Sequence, residues 1–430
     1  MRREAGRQMQ VLYPRCAAID VAKKEIAVCV RTPGDEPGGR RSQVRKYKTF
    51  YGVLKEMCAW LAECGVTHVA MEATGIYSNP VFHALAESGG FEVIKCNPAH
   101  VKNPVPGRKT DAADCCWLAE LLECGLVRGS YVPAQKIAEL RDLTRYRAKL
   151  VGSRTSEIQR LQKTLEDAGI KLDSVASDVL GVSSREMIKA LIDGERRGAV
   201  LAELARGVLR NKIPDLSMAL AGRFSDHHAL MCKLHLRHVD ELTELIDTVE
   251  KQIEVMLVPF RPERELLMTI PGIGPVASAV ILSEIGADMS FFPDADHLAS
   301  WAGLAPANNE SGGRRRPAGT RHGCQHLANV LVECAWAASR TRTRPGAQFH
   351  RLVRRFGGHR STRAKKKAAV AVAHTLILII YCVLDRRLPY DELGEDFYTK
   401  HQDPERYKDK LIARLAKLGY TVTLEPAQAA

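Results

Sequence analysis

The chain has 430 residues, more than one ordinary core, and its 45% hydrophobic and 26% charged content excludes a disordered polymer. The net charge of +13 is confined: residues 311–367 hold 15 Lys and Arg against the single acid Glu333, a segment charge of +14, so the rest sums to −1. A surplus gathered in one segment points to a polyanion, most often nucleic acid.

The 12 cysteines form no CxxC pair and do not alternate with histidine at zinc spacing, and the neighbours Cys115 and Cys116 cannot easily bridge. With no hydrophobic leader in "MRREAGRQMQ", the chain reads as a reduced cytoplasmic protein without structural zinc.

The first third alternates strands and helices. "CAAIDVAKKEIAVCVRT" predicts a strand pair with Lys23 and Lys24 at the turn, and "RKYKTF" a third strand. "YGVLKEMCAWLAECG" predicts an amphipathic helix, "THVAMEAT" a buried strand, "NPVFHALAESGG" a helix and "FEVIKCNP" a further strand. "TDAADCCWLAELLECG" closes the segment as a helix, giving a βββαβαβα order and a mixed sheet covered by helices.

The middle is helical. Val239, Leu242, Ile246, Val249, Ile253 and Met256 alternate three and four apart, a coiled-coil seam. A second stripe from Leu140 to Leu165 is interrupted by Arg147 and Arg154. Two such helices around an irregular insert at about 170–228 predict an antiparallel hairpin, serving as a spacer or dimerisation arm. The chain thus divides into 1–130, a helical coiled-coil arm at 131–260, a mostly α part at 261–390 and a charged, peripheral tail at 391–430.

In the last part "PGIGP" between two helices has the pattern of a helix-hairpin-helix. Gly272 and Gly274 would leave backbone N–H groups free to approach phosphate. The basic segment adds Arg314, Arg315, Arg316, Arg321, Lys365, Lys366 and Lys367 as nucleic-acid contacts, with Lys109 from the loop before "TDAAD". The apolar run "AAVAVAHTLILIIYCVLD" is shorter than the roughly 20 residues a bilayer needs and carries His374, so it reads as a buried core helix and no membrane is expected.

Four acids stand out. Asp111 and Asp114 open a helix, where Asp111 as N-cap and Asp114 as its third-position partner would suit the helix dipole. Asp20 and Glu72 each end an apolar strand, where a carboxylate is costly unless it is paired or binds a cation. If those strands are neighbours, Asp20 and Glu72 meet at one sheet edge, and Asp111 and Asp114 complete a four-carboxylate pocket suited to Mg²⁺ and to phosphodiester chemistry.

"IDVAKK", "MEATGIY" and "GRKTDAAD", followed by "IPGIGPVASAVILSEIG", "WAGLAP" and "ESGG", resemble in that order the motifs of the DEDD insertion-sequence transposases. The resemblance implies an N-terminal RuvC-like domain of RNase H-like fold and a C-terminal transposase domain. Position by position it places the four acids on Asp20, Glu72, Asp111 and Asp114, which would hold Mg²⁺, and the catalytic serine on Ser311. It implies DNA partners (element ends and target), a structured guide RNA as in some members, a homodimer or homotetramer, and a bacterial, nucleoid-associated place in the cytoplasm. The sequence departs from the family at Ala328, where a basic "LR" pair usually supplies arginine.

By itself "NNESGGRRR" reads as a polar loop with serine and glycine serving turn geometry. As a site, Gly312 and Gly313 would let backbone approach a phosphate, while Arg314–Arg316 would offset transition-state charge. Because no histidine adjoins Ser311, a metal-bound oxygen or the acidic site itself would have to serve as its base, and hence a composite centre is expected. Two alternatives remain open from the sequence: a junction-resolving nuclease using the four acids and water, and a non-catalytic nucleic-acid-binding protein.

Overall fold

A computed structural model of the chain describes residues 10–36, 38–73, 75–97, 110–308, 310–316, 319–400 and 404–423. The chain divides between Val132 and Pro133 into two units, each with its own core.

The first unit is built on a five-stranded mixed sheet of order β3-β2-β1-β4-β5. β1 (Cys16–Val21), β2 (Glu25–Pro33) and β3 (Arg40–Lys48) form an antiparallel meander. After α1 (Tyr51–Glu63), β4 (His68–Glu72) lies parallel to β1. After α2 (Ser78–Ser88), β5 (Glu92–Cys96) lies parallel to β4. α3 (Asp111–Glu123) packs on β1 and β2 from the other face. The order of elements is the one expected, and the topology is compatible with an RNase H-like domain.

Period-two alternation sorts the strand residues between the two faces. Ile19, Val28, Val69 and Met71 meet Leu54, Met57, Leu61, Val81 and Leu85 of α1 and α2. The opposite face carries mainly small groups, Cys16, Ala18, Ala27, Cys29, Ala70 and Cys96, against Cys115, Leu118, Ala119 and Leu122 of α3. Small side chains let α3 lie close to the sheet. β3 begins five residues before the expected "RKYKTF". It is a polar edge strand, mostly exposed, so no apolar alternation marks its start.

The second unit opens with α4 (Gln135–Asp167), followed by α5 (Leu172–Val175), α6 (Val182–Ile192), α7 (Gly198–Ala202), α8 (Ile213–Ala219) and the long α9 (Asp226–Leu257). α4 and α9 run antiparallel. Arg147 meets Glu250 at 2.6 Å, and near the other end Asp167 meets His228 at 3.0 Å. Arg147 and Arg154, which broke the apolar stripe, reach across to Glu250 and Thr243. The expected irregular insert is instead helical, with a core of Leu172, Met187, Ile188, Leu191, Leu201, Leu216 and Leu220. Its helices are too short for a helical period to emerge from the sequence.

α10 (Arg261–Met268), α11 (Pro275–Ile285) and α12 (Ala295–Trp301) lead to a small hairpin, β6 (Glu310–Ser311) and β7 (Arg314–Arg315). Then come α13 (Gln325–Ala338), α14 (Arg344–Phe356), α15 (Thr362–Arg386), α16 (Phe397–Lys400) and α17 (Pro404–Lys417). α15 is, among the described residues, the one helix long and apolar enough to cross a membrane. It packs against α10, α12, α13 and α14, burying Ala368, Val372, Leu376, Ile377, Ile380 and Leu384, as a core helix does.

Candidate active site

β1 and β4 are parallel neighbours in which Ile19 pairs with Met71, so Asp20 and Glu72 follow side by side at the carboxyl ends of their strands. Alternation puts both on the face of Ala18 and Ala70, which α3 covers. The first turn of α3 carries Asp111 and Asp114. The carboxyl edge of parallel strands thus meets a helix N-terminus, where open α/β sheets commonly bind ligands.

Asp111 is not the N-cap. Thr110 takes that place, its Oγ1 accepting from the Ala113 N–H at 3.2 Å. Thr110 is a cap by type, and its use leaves Asp111 and Asp114 within the first turn, with neither side chain needed to cap the helix. Asp20 shows the effect of the arrangement. Burial, followed by the charges of Asp111, Glu72 and Asp114, pushes its carboxyl from 3.8 up to about 6.

Such mutual repulsion is what a cation would relieve, and an all-carboxylate donor set fits a hard divalent ion. Among the described residues no three His, Cys, Asp or Glu side chains are gathered closely enough to hold an ion. The fit therefore lies in donor chemistry and charge.

Sequence reasoning missed Lys46, which pairs with Glu25 at 2.8 Å and also feels the charge of Asp111. In the sheet Lys46 is opposite Ala27, and Ala27 is opposite Asp20, a row visible only once the register of β3 is known. At the far end of α3, the side chain of Glu123 is 3% exposed and pairs with Arg31 and Arg40, anchoring the helix to the sheet. Five of the free cysteines, Cys16, Cys29, Cys96, Cys115 and Cys116, also belong to this interface. The Cys29 and Cys116 sulfurs are 3.1 Å apart, and burial pushes Cys16 and Cys116 up to about 12, so these thiols stay protonated and serve packing.

In the second unit "ESGGRR" is a two-residue hairpin rather than a loop. Ser311 pairs with Arg314, and Gly312 and Gly313 occupy the turn at φ of 58° and 72°. Both central residues at positive φ define the turn that matches strand twist, and glycine adopts it without strain. A Cβ on either glycine would meet nothing within 4 Å, so the tip is open. Arg314, Arg316 and Arg321 are exposed, as are Lys366 and Lys367 on the second turn of α15, with Lys365 half-buried. The side chains of Ser311 and Arg315, and the whole of Lys109, lie outside the described residues.

The "PGIGP" turn joins α10 to α11. Gly272 has φ of 91°, and a Cβ there would collide with the Cys334 carbonyl of α13. That glycine is accounted for by packing, whereas Gly274 faces open space. α11 is fixed by Glu284, fully buried, which accepts from Arg145 Nε at 2.7 Å and lies 3.3 Å from Arg141 Nε.

Residues 17–170 match a transposase domain model of the IS110 DEDD type, and residues 264–351 match the model described as Transposase IS116/IS110/IS902 family. The chain belongs to this transposase family. The first match contains Asp20, Glu72, Asp111 and Asp114, and the second contains Ser311.

The transposase for insertion sequence element IS1328 of Yersinia enterocolitica is 23% identical over 329 residues, 76% of this chain and 86% of that one. The mini-circle putative transposase for IS117 of Streptomyces coelicolor is 33% identical over 158 residues, 36% of each chain. A pilin gene-inverting protein of Moraxella bovis is 34% identical over 129 residues, 30% of this chain and 38% of its own. The matches with these last two therefore span little more than a third of their length. Membership places the transposase among DNA-recombining enzymes, and a DEDD domain implies dependence on a divalent metal.

Proposed function

We propose that the chain moves an insertion sequence by cutting and rejoining DNA strands, using Mg²⁺ at Asp20, Glu72, Asp111 and Asp114 and Ser311 as nucleophile. The observation that carries this reading is the placing of two strand-end carboxylates beside a helix that brings two more, close enough to perturb Asp20. When bound, the ion would supply a positive centre for phosphate oxygens. The four carboxylates would hold it, and α3 would orient two of them from one turn.

Attack by the Ser311 hydroxyl on phosphorus would form an Oγ–P bond and break the P–O bond to one strand. The departing sugar oxygen leaves as a hydroxyl, carrying the proton lost by serine. Reversal with another strand end regenerates serine and rejoins DNA, so bond energy is conserved through the exchange. Gly312 and Gly313 give the phosphate room at an open turn, and Arg314 to Arg316 offset its charge. The likeness to a pilin gene-inverting protein supports rejoining over simple cutting, since inversion leaves no free ends.

Within this reading the first unit is RNase H-like, and α10–"PGIGP"–α11 is a helix-hairpin-helix on the DNA backbone. The α4–α9 pair is a coiled-coil arm of a homodimer or homotetramer. A structured RNA encoded beside the gene guides target choice, and it should copurify as one discrete species from cells carrying the whole element.

A suicide DNA substrate with Mg²⁺ tests the chemistry. A covalent adduct should survive denaturation and map to "NNESGGRRR". Ser311→Ala should bind DNA and trap nothing, and Asp111→Ala with Asp114→Ala should likewise form no adduct. Free ends released by Ser311→Ala at the wild-type rate would replace the serine with water and favour a resolving nuclease.

A further inference from the structure

The tail after α15 returns to the basic helix α14. Arg344 lies 4.6 Å from the ring centroid of Phe397, and Arg351 lies 4.9 Å from that of Tyr398. The backbone N–H of Arg344 donates to Glu392 at 2.7 Å. These contacts hold the tail in place, and between it and α14 is a concave space of about 660 Å³. That volume is within the range of small-ligand sites and far below the girth of a duplex.

In the walls of this space, Arg340, Arg342, Arg351 and Arg354 come from α14 and the turn before it, Arg414 comes from α17, and Glu395 is the one acid. Among the described residues, none of the five guanidiniums forms a salt bridge. Arg351 instead stacks on Tyr398, and Arg354 Nε reaches the His350 carbonyl at 3.4 Å. Tyr407 also lines the space and is 44% exposed, offering a ring face. Exposed guanidiniums gathered without carboxylate partners attract an anion, and exposed aromatic faces among them are what unpaired bases stack on.

We propose that this cavity between α14 and the tail binds a single-stranded segment of nucleic acid, its phosphates on the arginines and one base against Tyr407. The inference rests on reading the chain as a nucleic-acid enzyme, and it assigns the tail a strand-holding role separate from the Ser311 hairpin and the acids. A duplex is excluded by size. An acidic peptide would satisfy the arginines and leave the tyrosine faces unused.

The test is fluorescence anisotropy with the full chain and labelled oligo-dT, oligo-U and duplex DNA of about 15 residues. Tyr407→Ala should weaken single-strand binding about tenfold, and Tyr407→Phe should restore it, because the ring face rather than the hydroxyl makes the contact. Arg354→Ala with Arg414→Ala should flatten the log–log salt slope by about 0.7 for each arginine removed. Duplex affinity should be unchanged in Tyr407→Ala and should fall less than single-strand affinity in the double arginine variant, and unchanged circular dichroism should accompany each. The oligomer whose affinity falls identifies the strand as DNA or RNA.

Wild-type affinity for both single strands in Tyr407→Ala and in the double arginine variant would overturn the proposal, as would equally effective competition by poly-glutamate. Wild-type protein that binds duplex but neither single strand would overturn it while leaving the transposase reading intact. Wild-type protein that binds no nucleic acid would remove both.

Discussion

Asp20 is the residue whose chemistry is most altered by its neighbours. Its carboxyl rises from 3.8 to about 6 through burial and the charges of Asp111, Glu72 and Asp114. A raised carboxyl holds its proton more tightly folded than unfolded. Its contribution to stability is therefore full below its ordinary value and is lost as pH rises through about 6. In chelator, Asp20→Asn should be more stable than wild type at pH 8, by about 1 kcal/mol after allowance for solvent screening, with the gap closing by pH 4. Added Mg²⁺ should stabilise wild type and leave Asp20→Asn unchanged. Thermal unfolding across that pH range checks both, and equal stability of the two proteins at pH 8 would mean that the four acids do not share a field.

At the scale of elements, the attachment of α11 depends on one buried group. Glu284 has no solvent exposure, and its partners Arg141 and Arg145 come from α4. The Arg141 guanidinium also donates to the Ser283 and Glu284 carbonyls, while Thr144 and Ser283 share a hydrogen bond of 2.9 Å. Removing the carboxylate takes the counter-charge from both arginines; Arg141 keeps its two carbonyls and Arg145 reaches solvent, so the cost is about 3 kcal/mol, the low end for breaking a buried pair. Glu284→Ala should lower the denaturation midpoint accordingly, while Glu284→Gln, which keeps the shape and the acceptor oxygen, should lose less. A midpoint unaffected by Glu284→Ala would assign the α4–α11 contact to its apolar groups alone. Gly272 acts at the same scale, since its missing Cβ lets the turn between α10 and α11 sit on the backbone of α13.

For the whole molecule, charge is the governing quantity. The whole of the +13 surplus resides in 311–367, which supplies the hairpin tip, α14 and the start of α15. Neutralising Arg314, Arg315 and Arg316 together should flatten the salt dependence of duplex DNA binding by up to about three units if each meets a phosphate. A filter-binding series in salt measures the slope, and an unchanged value would mean that these arginines serve the hairpin rather than the ligand.

The elements of the first unit were legible from the residues alone because its strands are buried apolar runs and its helices carry clear stripes. The acids at strand ends were visible for the same reason, as carboxylates standing where apolar side chains belong. The polar edge strand β3 and the short helices between α4 and α9 carry no such signal, and the tail's packing on α14 depends on contacts remote in sequence. Choosing Thr110 over Asp111 as cap was a local competition between two adequate residues, settled by where the helix begins. What the sequence by itself determined was which segments are strands and helices and where their polar exceptions fall, because periodicity and burial act over a few residues. Only the tertiary structure decided that β1 and β4 are parallel neighbours, with α3 over the face that bears Asp20 and Glu72. Strand pairing joins residues some fifty positions apart, and it is chosen by the packing of the whole sheet rather than by either strand.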